Sequence, residues 1–315
     1  MSIITNTFTR YSSIGIREEL GNVIFNVSPQ ETPFVSNIGK KSVRNTYFEW
    51  QTDALAAAAA NAQIDGDDLS SYTAVTPTVR EGNYTQIMRK DFILADNLEV
   101  INEAGRKSEK AYQITKTGNE LKRDLEFNLC GVNNAKTAGS TSAARETGSL
   151  NTWIETNVSA GTNGAGAGNG AARTDGTQRA ITETLLKTVM QSTWTSGGSP
   201  SMVMVGAHVK TVISGFSGIA AQRYQAGDGP TTIIGAADVY VSDFGSINIV
   251  PNRFSRSRDA YVLDTDLLSL ATLRPMQVID LAKTGDASKS MTLIEAGLQV
   301  DNEKGCGAIY DLSTS

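Results

Sequence analysis

The chain has 315 residues and a net charge of −5 at pH 7, with 40 % hydrophobic and 19 % charged residues. This length suits two domains or one large domain, and the composition is ordinary for a soluble folded protein. The acidic balance argues against a dedicated nucleic-acid binder, and no apolar run approaches the roughly 20 residues that span a bilayer. The start of the chain lacks the charged and apolar regions of a signal peptide.

Residues 1–39 predict an N-terminal arm. Apolar residues recur at helical spacing over 16–27, and two prolines, Pro29 and Pro33, then favour extended backbone in the residues before them. Free termini are usually disordered unless they are tied down. We therefore expect the arm to pack against another surface.

Residues 40–95 predict an extended β-hairpin. The runs 43–52 and 79–94 are rich in aromatic and β-branched residues, and the segment between them is rich in alanine and then acidic at Asp65, Asp67 and Asp68. Neither run has a clean apolar face, and a two-stranded ribbon is only marginally stable alone in water. We expect the ribbon to lie on a neighbouring copy of the chain.

Residues 96–138 predict one long amphipathic helix. Asp96 and Glu99 have the spacing of a capping box, and small or apolar residues follow in steps of three and four as far as Val132. The opposite side of the helix is charged, which is typical of a solvated surface.

Residues 139–177 predict a flexible surface loop, because glycine, alanine, serine, threonine and asparagine dominate them. The closely spaced glycines could suggest a dinucleotide site. That interpretation fails, since no buried strand precedes them and the next helix begins only near Gln178.

Residues 178–265 predict an α/β unit. A helix over 178–194 is followed by a short buried strand at 201–205, another helix from about 207 to 215, and a hairpin of strands 239–241 and 247–250. Within residues 260–315 we predict further strands at 261–263, 276–281 and 291–300.

The sequence offers no convincing catalytic or metal site. His208 is the only histidine, which is too few for a zinc site with two distant cysteines, and no motif places it in a serine triad. The run GKKS at 39–42 lacks the upstream glycine of a phosphate loop. Cys130 and Cys306 are predicted to be small buried apolar groups rather than a disulfide. We expect no enzyme activity, cofactor or metal.

Ten short motifs are spread nearly from end to end of the chain. They are IGIRE (14–18), SPQETPF (28–34), EWQTD (49–53), AGRKSE (104–109), ELKRD (120–124), DGTQR (175–179), GAADVYVSDFG (235–245), VPNR (250–253), LRP (273–275) and AKTGDA (282–287). These motifs, and the order of arm, long hairpin, charged helix, α/β region and late strands, resemble the major capsid proteins of tailed bacteriophages.

The resemblance implies the Hong Kong 97-like phage capsid fold, of the α+β class. In that fold, residues 1–39 are an N-terminal arm, 40–95 an extended β-hairpin loop, 96–138 the spine helix of a peripheral domain, and 139–177 a Gly/Ala-rich loop. Residues 178–265 are the axial α/β domain, and 266–315 return to the peripheral domain.

The resemblance also implies a function. The chain would self-assemble into hexamers and pentamers of an icosahedral phage head that encloses double-stranded DNA without sequence-specific binding and without a membrane. It would be made in the host cytoplasm and reside in the virion, with portal, scaffolding and decoration proteins as candidate partners.

Two other classes of function stay open at this point. The same fold can form the shell of a bacterial cargo compartment, and the contents of the shell would separate the two. An α/β enzyme or binding module with a β-ribbon would instead be a monomer with a ligand in the region 178–263.

Twelve residues are candidates for contacts between subunits, because they lie on the predicted arm, on the ribbon or in a basic cluster. They are Phe34, Phe48, Trp50, Asp65, Asp67, Asp68, Arg80, Arg89, Lys90, Arg253, Arg256 and Arg258. The last three arginines could meet the three aspartates of a neighbouring copy. We expect Trp50→Ala to leave a soluble subunit that assembles poorly.

Overall fold

The computed structural model describes four ranges of the chain, which are residues 30–66, 72–101, 108–216 and 239–315. Asp67, Asp68 and the predicted arm helix over 16–27 lie outside these ranges. Among the described residues, no helix combines the length and hydropathy that a membrane span requires.

Four α-helices and twelve strands make up the described fold. The helices are α1 (Pro33–Asn37), α2 (Glu109–Cys130), α3 (Glu183–Thr195) and α4 (Ala207–Ser214). The strands are β1 (Gly39–Ser42), β2 (Tyr47–Thr52), β3 (Val79–Tyr84), β4 (Gln86–Ala95), β5 (Val158–Ser159), β6 (Met202–Val205), β7 (Val239–Ser242), β8 (Gly245–Pro251), β9 (Ala260–Leu263), β10 (Leu268–Leu281), β11 (Ala287–Val300) and β12 (Gly307–Ile309). Short 3-10 helices lie at Asp96–Glu99, Leu150–Thr152, Thr265–Leu267 and Glu303–Gly305.

A four-stranded sheet in the order β1-β10-β11-β4 supports the long helix α2 on one face. The buried helix residues Leu121, Leu125 and Leu129 recur at every fourth position, which keeps them on one side of a helix. The predicted apolar stripe is confirmed at these three leucines.

The long helix begins later than the sequence predicts. Asp96 opens only a short 3-10 helix, and its carboxylate accepts hydrogen bonds from Lys283 Nζ and Ser288 Oγ, both at 2.6 Å, instead of capping a backbone amide. The described α-helix starts at Glu109, where the hydroxyl of Ser108 accepts from the Ala111 N–H at 3.2 Å. The predicted capping box was wrong because Lys283, in the turn between β10 and β11, and Ser288 on β11 bind the Asp96 carboxylate.

The predicted ribbon is present, but its second strand is two strands. β2 and β3 pair antiparallel from Tyr47 opposite Tyr84 to Thr52 opposite Val79. The ladder ends at Thr85, whose N–H donates to Thr46 O at 2.8 Å. Beyond it β4 joins β11 of the other sheet, so residues on either side of Thr85 belong to different sheets.

A six-stranded sheet in the order β5-β12-β9-β6-β8-β7 forms the second half of the fold. Alternate residues of β6 enter different cores: Met202 and Met204 join the core beside α2, while Val203 and Val205 join the core beside α3 and α4. This period-two division is what a strand buried on both faces produces. The predicted helices, the strand at 201–205 and the hairpin around Asp243 are confirmed, with α3 starting at Glu183 rather than near Gln178.

The Gly/Ala-rich segment 139–177 is not a free surface loop. It buries Trp153 and Ile154, and the N–H groups of Gly161 and Gly176 donate to the Asp311 carboxylate at 3.1 and 2.9 Å. The composition of this segment indicated a flexible loop. Its ordering could not be predicted, because the residue that binds it, Asp311, lies near the other end of the sequence.

Both cysteines are buried and form no disulfide, as predicted. Burial raises the pKa of Cys306 to about 12, and it also raises the pKa of Cys130 well above its ordinary value. Neither thiol is therefore ionised at neutral pH, and both act as small apolar groups.

Candidate surface for contacts between subunits

The ribbon is fastened to its own subunit by aromatic stacking at its base. Trp50 is only 8 % exposed, and its ring centroid lies 5.3 Å from that of Trp153 and 6.0 Å from that of Phe48. Lys136 lies over the Trp153 ring at 5.2 Å and donates from Nζ to Gly82 O at 2.9 Å. Burial lowers the pKa of Lys136. These contacts set the direction in which the ribbon leaves the subunit.

A buried asparagine fastens the other strand of the ribbon. The Asn83 side-chain amide donates to Leu298 O at 2.7 Å and to Thr147 Oγ1 at 3.0 Å, and its oxygen accepts from the Gly148 N–H at 2.9 Å. Because Asn83 is fully buried, leaving any of these groups unpaired would be costly.

Three of the predicted contact residues therefore face inward. Phe34, Phe48 and Trp50 all belong to the core cluster of their own subunit. Alternation along β2 places Phe48 and Trp50 on the face toward Trp153, and Phe34 is fully buried in α1. Little of these side chains is left for a neighbouring copy, so we assign them to the stability of the subunit.

The outer part of the ribbon is an apolar surface that no described residue covers, and none of its apolar residues was among the predicted contacts. Leu55 is fully exposed, and Ile64, Tyr72 and Val75 are more than four-fifths exposed. Residues 53–64 form no helix or strand. The sequence signal for this surface was a few apolar residues in and after the alanine-rich stretch. Their spacing fits neither a helix nor a strand, so it did not indicate a shared surface.

Two of the predicted basic contacts on the ribbon and β4 are paired within the chain. Arg80 forms a two-pronged hydrogen bond with Glu49, a diagonal neighbour on the paired strand β2, with N···O distances of 2.7 and 2.8 Å. Lys90 Nζ lies 2.8 Å from Asp124 and links β4 to α2. Arg89 points to the opposite face of β4, where it is exposed and forms no ion pair with a described residue.

The basic cluster near residue 256 is neutralised within the subunit. Arg256 contacts Asp175 at 2.7 Å and Asp259 at 3.0 Å, and Arg258 contacts Asp311 at 2.8 Å and Asp175 at 3.3 Å. Arg256 and Arg258 thus already have acidic partners within the chain, and their pairing with Asp65, Asp67 and Asp68 of another copy stays a prediction. Arg253 lies outside this network and is exposed.

The centre of this network is a fully buried arginine that the sequence did not single out. Arg173 contacts Asp175 at 2.6 Å and Asp311 at 2.8 Å, and its guanidinium lies 4.0 Å from the centre of the Tyr310 ring. Burial acts to raise the pKa of Asp175, but the hydrogen bond from Arg256 and the other arginine charges outweigh burial and lower that pKa. Burial dominates at Asp259 and raises its pKa.

The described residues offer little for chemistry. No group of three or more His, Cys, Asp or Glu side chains among them is arranged to hold a metal ion. A cavity of about 480 Å³ lies between α3 and the β7–β8 hairpin, lined by Glu183, Lys187 and Tyr240 among others. Beside it, Trp194 and Phe244 stack with their centroids 5.3 Å apart.

Comparison with known proteins identifies the family. A family model described as SU10 major capsid protein matches residues 3–313. The chain is 29 % identical to the major capsid protein of Escherichia phage Phieco32, with 96 % of each protein covered. Its fold is similar to that of a chain in the Cyanophage A-1(L) capsid asymmetric unit, with a TM-score of 0.62 at 12 % identity over 95 % of this chain and 98 % of the other.

A further structural neighbour is the capsid of a native GTA particle, with a TM-score of 0.60 at 10 % identity over 96 % of this chain and 98 % of the other. These likenesses confirm the expected Hong Kong 97-like fold. The chain belongs to the SU10 major capsid protein family.

Proposed function

We propose that the chain self-assembles into hexamers and pentamers of an icosahedral phage head that encloses double-stranded DNA. The observation that carries this proposal is the outer part of the ribbon, where Leu55, Ile64, Tyr72 and Val75 are exposed and nothing described in the chain covers them. A group of exposed apolar side chains on one projecting segment, here the ribbon, is typical of an interaction site.

The ribbon suits assembly because it carries contacts beyond the body of the subunit. Obligate interfaces bury about 2,000–5,000 Å² in total, and apolar burial contributes about 25 cal/mol per Å² before the loss of motion is subtracted. A subunit that contacts several neighbours through weak sites gains from avidity. We expect each single contact to be modest and the closed shell to be stable.

The same proposal divides the chain into parts. Residues 1–39 are the arm and 40–95 the extended hairpin loop, while 96–138 and 266–315 build the peripheral domain. Residues 139–177 form a connecting segment, and 178–265 form the axial domain. Two buried clusters lie beneath this division, one beside α2 and the other beside α3 and α4, and the first also takes in Met204, Tyr261 and Tyr310 of the six-stranded sheet region, which joins the two parts.

Several of the remaining candidate residues stay proposals for contacts between copies. Asp65, Arg89 and Arg253 are exposed and form no ion pair with a described residue. We propose no enzyme activity and no cofactor. DNA would be enclosed without sequence-specific binding, and portal, scaffolding and decoration proteins remain candidate partners.

Electron microscopy of the purified protein, with no symmetry imposed, tests the proposal. We expect closed shells of hexamers and pentamers from the wild type, and far fewer shells from the double variant Leu55→Ser and Val75→Ser, although its free energy of unfolding should be unchanged. Uniform monomers of the wild type would contradict the proposal. Shells from infected cells that hold an enzyme instead of DNA would favour the cargo compartment.

A further inference from the structure

The cavity between α3 and the β7–β8 hairpin lies where these elements touch at two points. At one point Trp194 stacks on Phe244, with ring centroids 5.3 Å apart. At the other point the Tyr240 hydroxyl lies 3.5 Å from Glu183 Oε1. The space measures about 480 Å³, which falls within the roughly 300–1,000 Å³ that is usual for small-molecule sites.

One stripe of α3 lines the cavity. Glu183, Lys187, Met190 and Gln191 recur in steps of three and four, a spacing that keeps side chains on the same side of a helix. Met190 is buried, and its unbranched side chain adapts to the shape of what it contacts. The helix side of the cavity is therefore charged near the start of α3 and apolar further along.

The turn of the hairpin gives the opposite side a fixed shape. Ser242 Oγ accepts a hydrogen bond from the Phe244 N–H at 3.2 Å and donates one to Gly245 O at 3.0 Å. Gly245 has a φ of 128°, a conformation that residues with a side chain rarely adopt. The turn thus presents Asp243 and Phe244 together, and both line the cavity.

One acid at the cavity has no cation beside it. Lys187 Nζ lies 2.8 Å from Glu183 Oε1, so these two charges offset each other. The hydrogen bond with Glu183 raises the pKa of Lys187, which therefore stays charged at neutral pH. Asp243 is exposed and forms no ion pair with a described residue. A negative charge is thus left next to an aromatic ring and a buried methionine.

This combination argues against two classes of ligand. An anion would be repelled by Asp243, and the lysine that could attract it is already held by Glu183. A divalent metal ion prefers a shell of six or more oxygen atoms with several carboxylates. No group of three or more metal-binding side chains occurs in the part of the chain that the structure describes.

We propose that the cavity binds an aliphatic amine in its ammonium form. The Asp243 carboxylate accepts a charge-assisted hydrogen bond from the ammonium group, the Phe244 ring attracts the same positive charge, and the alkyl chain packs on Met190. Two sources carry this chemistry, a free diamine and the lysine side chain of another protein. Binding of either needs only a single chain, so it does not depend on the proposed assembly.

Equilibrium dialysis of the purified full-length protein against diaminobutane tests the site. We expect saturable binding at millimolar concentrations or below, and we expect it to weaken as salt is raised, because salt screens exposed charges. Asp243→Asn keeps the shape of the side chain but removes its charge, and it should weaken binding about tenfold. The matched control is Asp91→Asn, which removes an exposed acid of β4 and should bind the diamine as the wild type does.

Lys187→Gln gives a result of opposite sign. It removes a positive charge from the side of the cavity, so it should strengthen the binding of diaminobutane. An anion site would behave in the reverse way. If inorganic phosphate binds the wild type, binds Asp243→Asn more tightly and binds Lys187→Gln more weakly, the cavity is an anion site and the proposal is wrong.

Tryptophan fluorescence shows where the amine binds. Trp194 is 57 % exposed and stacks on Phe244, whereas Trp50 and Trp153 are buried in the other core. We expect diaminobutane to change the emission of the wild type but not that of Trp194→Phe. This variant should still bind the diamine in dialysis, because phenylalanine can keep the stack on Phe244.

Competition by N-acetyl-lysine amide distinguishes the two sources. Competition as strong as that of diaminobutane would assign the cavity to a lysine side chain of a partner, and clearly weaker competition would assign it to a free diamine. Melting curves that overlay the wild type show that the variants are folded. The absence of saturable binding by both amines, or equal binding by wild type and Asp243→Asn, would overturn the proposal.

Discussion

Glu126 near the C-terminal end of α2 accepts a hydrogen bond from the backbone N–H of Phe34, with a distance of 2.8 Å. Its second oxygen, Oε2, accepts from the Val35 N–H at 2.9 Å, and Asn252 Nδ2 donates to the first oxygen, Oε1, at 2.7 Å. One buried side chain thus joins α1, the long helix and the segment after β8. Burial raises the pKa of Glu126, although its three donors favour the ionised form.

Glu126→Gln should release α1 and lower the free energy of unfolding by about 1–3 kcal/mol, because the new amide group faces a backbone donor that is left unpaired. Urea unfolding measures the loss, and limited proteolysis before residue 38 reports the release. Glu120→Gln on the same helix is the control and should change neither. Equal stability of Glu126→Gln and wild type would show that the carboxylate does not anchor α1.

Trp50→Ala should destabilise the subunit itself by about 3–5 kcal/mol, the usual cost of removing a buried aromatic ring. This replaces the expectation of a stable subunit that assembles poorly, since Trp50 packs against Trp153. Trp50→Phe should cost much less, because the indole Nε1 finds no hydrogen-bond partner among the described residues. Tyr72→Ala, on the exposed ribbon, should leave the melting temperature unchanged, and a Trp50→Ala melting curve that overlays the wild type would refute this assignment.

Arg173→Met should destabilise the protein by about 3–5 kcal/mol, because it leaves the buried Asp311 without one of its two arginine partners. The matched control is Arg253→Met, which removes an exposed arginine and should change stability by less than about 0.5 kcal/mol. Chemical denaturation of both variants measures the difference. Similar midpoints for the two would mean that the buried network adjusts without cost.

Asp175 should make stability depend on acid pH. Its pKa in the folded protein is lowered below the ordinary 3.8, so its contribution is present above that value and is lost as pH falls through the folded pKa. We expect wild type and Asp175→Asn to differ in free energy of unfolding at pH 6, and we expect that difference to shrink as pH falls below 3.8 and through the folded pKa. Groups with a raised pKa, such as Glu126, make the free energy of unfolding fall as pH rises. They are present in both proteins, so their contributions cancel in the difference between wild type and Asp175→Asn. A gap that stays constant with pH would contradict the prediction.

Local periodicity explains what the sequence predicted well. The leucines of α2 and the alternation along β6 are patterns that a helix and a buried strand impose within a few residues. The hairpin of β7 and β8 was predictable for the same reason. Its turn residues lie between two short apolar runs.

Long-range contacts explain what the sequence could not predict. Nothing near Trp50 indicates Trp153 as its partner, so exposure on a ribbon was the natural interpretation. Arg256 and Asp175 are 81 positions apart, and Asp311 comes later still. The change of sheet at Thr85, between β3 and β4, likewise depends on β11, which pairs with β4 but lies about two hundred residues later in the chain.

The position of the last strands also governs when a newly made chain can become a subunit. β1 pairs with β10, where Gly39 lies opposite Ser269, and β12 lies between β5 and β9 inside the six-stranded sheet. Synthesis proceeds from the N-terminus, so neither sheet can be completed until the final residues have emerged. Such non-local pairing folds slowly. A chain still on the ribosome thus lacks the hydrogen bond from Asn83 to Leu298 at the base of its ribbon, and the topology of the fold delays assembly until the late strands are made.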